Sequence, residues 1–109
     1  MASPNTEQLE IAVKFWVDLF NQSIKDEDKR IRFERSLRRI LNQHRDILEA
    51  ISLQVVPHYL LLQVLKDAKL HPNSLPFRKL AVSFGDNGKV YLFERDQFVK
   101  NLTPSDFSV

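Results

Sequence analysis

The chain has 109 residues, 43% hydrophobic and 28% charged, enough for one domain with its own core and too mixed for a disordered or fibrous chain. It contains no cysteine, which excludes disulfides and thiolate metal sites, and only two glycines, which excludes a phosphate-cradling loop built on several. The net charge of +2 is modest but unevenly spread: Lys29–Arg45 holds seven basic residues and one acid, Glu34, and nets +6, while the other 9 basic and 13 acidic residues net −4.

The opening Met-Ala-Ser-Pro-Asn-Thr-Glu has neither a basic nor an apolar stretch, so no signal peptide is expected and residues 1–5 read as a flexible tail. Asn5 or Thr6 is placed to cap a first helix running to about Ile24, with Glu7 favourable in its first turn. Its apolar set is broad. Leu9, Val13, Trp16, Val17, Phe20 and Ile24 form one stripe, and Ile11, Phe15 and Leu19 form a second ridge at i, i+4, i+8. Such a ridge is either core or a contact surface, which makes Ile11, Phe15 and Leu19 candidates for partner binding or dimerisation.

Lys25-Asp26-Glu27-Asp28 reads as a link that also places acids at the start of a second helix, from about Glu27 to Glu49. A short link between two long amphipathic helices predicts an antiparallel pair. Phe33, Leu37, Ile40, Leu41, His44 and Leu48 recur at helix spacing, and the opposite side carries Arg32, Arg35, Arg38, Arg39 and Arg45.

Ile51–Val56, rich in β-branched residues, reads as a short strand or as more helix, with the strand preferred, and Pro57 suits the first turn of a third helix with Leu60, Leu61, Val64, Leu65 and Ala68 inward. His71–Pro76 reads as a loop. Leu80–Phe84 and Lys89–Phe93 flank Gly85-Asp86-Asn87-Gly88, a strong hairpin signature. With Asn87-Gly88 as a two-residue turn, Phe84 opposes Tyr91 and Val82 opposes Phe93. Leu80, Val82, Phe84, Tyr91 and Phe93 would then share the face that covers the helices. Asp96 is expected to cap a short closing helix, Gln97–Leu102, before a flexible tail, 103–109. The fold class is α+β: an antiparallel helical pair and a third helix on a small antiparallel sheet with a C-terminal hairpin, in a single domain.

Chemistry is sparse. His44, His58 and His71 share no metal-ligand spacing, Ser36, Ser52 and Ser83 lack a glycine elbow, and Asp26, Glu27 and Asp28 are explained by the helix start. No catalytic residue, metal or cofactor is expected. No apolar run, Tyr59–Leu62 included, exceeds four residues, far short of the roughly 20 a membrane span needs. Without cysteine, an intracellular location, cytoplasm or nucleus, is favoured. The arginine face is either solvated and paired within the molecule or a contact surface, because guanidinium forks suit carboxylates and phosphates. An acidic protein surface is the expected partner, with nucleic acid as the alternative and a homodimer joined through the first helix as a third.

Three pieces resemble the anti-proliferative BTG/Tob family. Ile11-Ala12-Val13-Lys14-Phe15 followed by Leu19-Phe20 is similar to that family's opening helix. Phe33–Leu41, followed by His44, is similar to its second helix, and Val82–Glu94 to its closing hairpin. The resemblance implies a non-enzymatic adaptor, a regulator of transcription or mRNA turnover. The family's tryptophan-, proline- and glycine-rich segment after the second helix is replaced here by Asp46–Ala50, and its Trp-x-Asp-Pro stretch before the hairpin is missing. Those segments carry the family's contacts to an mRNA deadenylase, so no residue of this chain inherits that role.

Overall fold

In a computed structural model, which describes residues 4–53, 58–71 and 78–107, three helices pack with a four-stranded antiparallel sheet in an α+β fold. Helix α1 spans Thr6–Ser23, α2 Glu27–Gln43 and α3 Tyr59–Asp67. Strands β1 (Ala50–Leu53), β2 (Leu80–Phe84), β3 (Val90–Glu94) and β4 (Gln97–Leu102) follow the spatial order β1-β2-β3-β4. Gln54–Pro57 and Pro72–Phe77 lie outside the described residues, and with them parts of the expected strand, helix start and loop.

Helix α1 begins where the sequence places it. The Asn5 side chain accepts from the Gln8 N–H at 2.8 Å and the Gln8 side-chain Oε1 accepts from the Asn5 N–H at 2.9 Å, a reciprocal capping box. The second ridge of this helix is not free: Ile11 and Leu19 are 5% and 4% exposed, and half-buried Phe15 packs against the core, its ring edge-on to Trp16. A helix lying between α2 and β3 needs apolar residues round more than half its circumference, so the ridge is core and not a partner surface. At the other end, α2 stops at Gln43, short of the expected Glu49. Its C-cap His44 leaves the helical region, and a 3₁₀ turn at Arg45–Ile47 redirects the chain so that Leu48 reaches the core and β1 can start.

The hairpin forms, in a different register. Gly85 and Lys89 close it (Gly85 N–H to Lys89 O, 2.9 Å), leaving a three-residue loop in which Gly88 alone is left-handed, φ 81°. Phe84 therefore pairs with Val90 and Val82 with Leu92. One residue of slip exchanges the two faces of a strand. Val90 and Leu92 point to the helices, whereas Tyr91 and Phe93 stand on the outer face. The expected closing helix is strand β4. Arg95 and Asp96, with φ 53° and 65°, form a two-residue turn with both residues left-handed, and β4 pairs back onto β3 with a bulge opposite Leu92/Phe93. Residues 4–5 and 103–107 belong to the fold and are not tails: Asn5 caps α1, and the 3₁₀ turn Pro104–Phe107 packs on α1.

Candidate functional site

Helix α2 is anchored through Phe33, Ser36, Leu37, Ile40 and Leu41, all buried, and Phe33 stacks on Phe20 of α1 with ring centres 4.2 Å apart. Asp26 caps its start, accepting from Asp28 N–H (2.9 Å) and Lys29 N–H (3.3 Å). It packs against α1 on one flank and α3 on the other, so its remaining side faces outward. That side is the arginine face.

Much of the face is neutralised within the molecule. Arg38 grips Glu10 of α1 with two bonds, Nη2 to Oε1 at 2.7 Å and Nε to Oε2 at 3.3 Å, and donates from Nη1 to Glu34 at 2.9 Å. This fork-to-fork contact with Glu10, with desolvation opposing and Glu34 adding to it, holds the Arg38 proton more tightly than usual. On the other flank, Arg39 pairs with Asp67 of α3, which also accepts from the buried Ser36 hydroxyl at 2.7 Å. The two bonds, Ser36 first and Arg39 second, keep the Asp67 carboxyl below the usual carboxylate range. Arg32 pairs along the helix with Asp28 at 3.3 Å. Arg45 donates to the Thr6 hydroxyl at 2.9 Å. Arg30, outside the candidate set, donates to the Ile24 and Asn21 carbonyls at 2.8 and 3.4 Å, closing the C-terminal end of α1. The charge separation along the chain is therefore reduced in space, with Glu10 and Asp67 supplied by neighbouring helices and Asp28 and Glu34 by α2 itself.

Arg35 differs. It is exposed, and its side chain makes no ion pair or hydrogen bond among the described residues. One turn before it, Ile31 is 49% exposed. Because Arg38 is drawn towards α1 and Arg39 towards α3, a shallow groove of about 450 Å³ opens along the helix, lined among the described residues by Ile31, Glu34, Arg35, Arg38, Arg39 and Asn42. Ile31 was missed by sequence reasoning, although an isoleucine off the apolar stripe and within a charged face is itself a signal.

A second feature also escaped the sequence. On the outer sheet face the Tyr91 and Phe93 rings each meet Phe98 edge-on, centres 6.2 and 5.9 Å apart, and Phe98 is 57% exposed. Alternating aromatic residues across β3 and β4 would have revealed it had Gln97–Leu102 been read as a strand.

No group of three potential metal ligands comes together among the described residues, and no helix among them is long and apolar enough to cross a membrane. No protein-family model and no curated protein matches the chain in sequence.

Proposed function

We propose that this protein is an intracellular, non-enzymatic interaction module, an adaptor or regulator, and that it meets its protein partner through the outer face of α2. One observation carries the reading. An exposed isoleucine and an unpaired arginine lie one turn apart on a groove whose flanking arginines are already fixed by carboxylates of the same chain. Apolar and guanidinium groups side by side are the usual composition of a protein contact, and fixed neighbours lower the entropy lost on docking. The resemblance to the BTG/Tob family supports the same class of function, an adaptor.

The test is affinity capture from cell extract with the intact chain, compared quantitatively with the double variant Ile31→Glu/Arg35→Glu. Proteins held by the wild type and lost by the variant are the expected result. An unchanged set of captured proteins would overturn the assignment of this face. Capture of nucleic acid instead, falling steeply between about 50 and 200 mM salt, would favour the rival reading through phosphates.

A further inference from the structure

The loop between β2 and β3 carries a reaction of its own. Asn87 is the one asparagine of the chain that precedes a glycine. The backbone nitrogen after an asparagine can close a five-membered ring on the side-chain amide carbon, and what usually obstructs it is the side chain of that following residue. Gly88 has none, and even a Cβ placed there would meet nothing nearer than Asn5 Nδ2 at 3.9 Å. Residues 86–89 are exposed, so water and hydroxide reach the loop.

The fold also orients the amide. Asn87 Oδ1 accepts the Lys89 N–H at 3.1 Å, and Nδ2 donates to the Tyr91 hydroxyl at 3.0 Å. A backbone donor on Oδ1 favours the negative charge that develops there as the amide carbon is attacked. The Tyr91 hydroxyl stands beside the nitrogen that must leave. The hold on the attacking group is weak by comparison, since Gly88 N–H reaches the Gly85 carbonyl only at 3.3 Å.

We infer that Asn87-Gly88 is a site of self-driven modification in the folded protein, where the side-chain amide is exchanged for a carboxylate through a cyclic imide. The Gly88 nitrogen gives its proton to solvent base and bonds to Asn87 Cγ. The Cγ–Nδ2 bond breaks, and the nitrogen takes up a proton and leaves as ammonia. Water then opens the ring on one of two sides. Opening at Cγ leaves aspartate in an ordinary main chain, whereas opening at the main-chain carbonyl leaves isoaspartate, with one more carbon in the main chain.

The two products differ in what they do to the fold. Aspartate keeps an acceptor for the Lys89 N–H and adds a charge next to Asp86. Isoaspartate lengthens a loop whose two ends Gln8 Nε2 holds, at 2.8 Å from the Gly85 carbonyl and 2.9 Å from the Lys89 carbonyl. It therefore loosens the fastening of the hairpin to α1.

The test is storage of the intact, folded chain at mildly alkaline pH, followed by peptide mapping with mass spectrometry and labelling of isoaspartate by its specific methyltransferase. The mass gain of an amide-to-acid exchange should arise in the peptide holding Asn87 before any other asparagine converts, faster as pH rises. Asn87→Gln, which must close a larger ring, should slow conversion at this position by about tenfold or more. In amide NMR the isoaspartate fraction should show displaced signals for Gln8, Gly85 and Lys89. Earlier conversion at another asparagine, or conversion of Asn87 only once urea has unfolded the chain, would overturn the site. Unchanged Gln8 and Lys89 signals in the isoaspartate fraction would overturn the loosening of α1.

Discussion

Gln8 shows how single side chains hold the two layers together. It is 3% exposed, and besides its capping role its Nε2 donates to the Gly85 carbonyl at 2.8 Å and the Lys89 carbonyl at 2.9 Å. A buried amide is tolerable because each of its polar atoms is met, and here it fastens the first turn of α1 to both ends of the β2–β3 loop. His58 has a similar role at the start of α3, where Nδ1 accepts the Leu60 N–H at 3.2 Å. That bond requires an unprotonated Nδ1, and partial burial lowers the pKa of His58 from its ordinary 6.5. The unfolded chain then takes up the proton more readily than the folded one. The stabilisation is thus complete above the unfolded value and is lost as pH falls through the folded value. Urea denaturation between about pH 7.5 and 5 should show His58→Asn, which keeps a cap acceptor without a titrating group, with a shallower loss of stability than the wild type. Equal slopes would show that His58 is not the responsible group.

At the scale of elements, the β3–β4 turn explains what the sequence conceals. Two left-handed residues in succession are ordinarily Asn-Gly, and this chain uses Arg95-Asp96. With no glycine to mark the reversal, Asp96 reads as a helix cap, and β4 is mistaken for a helix. The converse happened at Asn87-Gly88, where a strong turn signal was correct but the loop is one residue longer, so Tyr91 and Phe93 exchange faces with Val90 and Leu92. The helices were legible because their apolar period and the Asn5 and Asp26 caps agree. Replacing Arg95-Asp96 by Asn-Gly should relieve the left-handed cost and stabilise the fold by about 1 kcal/mol, read from the denaturation midpoint. A loss of stability would mean that the Arg95 or Asp96 side chain makes a contribution larger than the backbone cost.

Across the whole molecule, the arginines of α2 divide into ties and a free group, and only coordinates could make that division. The sequence shows five arginines on one side. It does not show that Glu10, 28 residues before Arg38, and Asp67, 28 residues after Arg39, are the carboxylates that meet them. Arg38 joins α2 to α1 and Arg39 joins α2 to α3, so together they brace the three-helix layer. Reversing the whole face would therefore report on folding as much as on recognition. Arg38→Glu places a third carboxylate beside Glu10 and Glu34, replacing two half-exposed attractions by repulsions, and should cost about 2 kcal/mol, partly recovered in high salt. Arg35→Glu removes no side-chain hydrogen bond or ion pair among the described residues and should change stability by less than about 0.5 kcal/mol. Urea titrations of both variants at low and high salt check the division. Comparable destabilisation by the two would show that Arg35 also braces the fold, and its charge would then no longer be free for a partner.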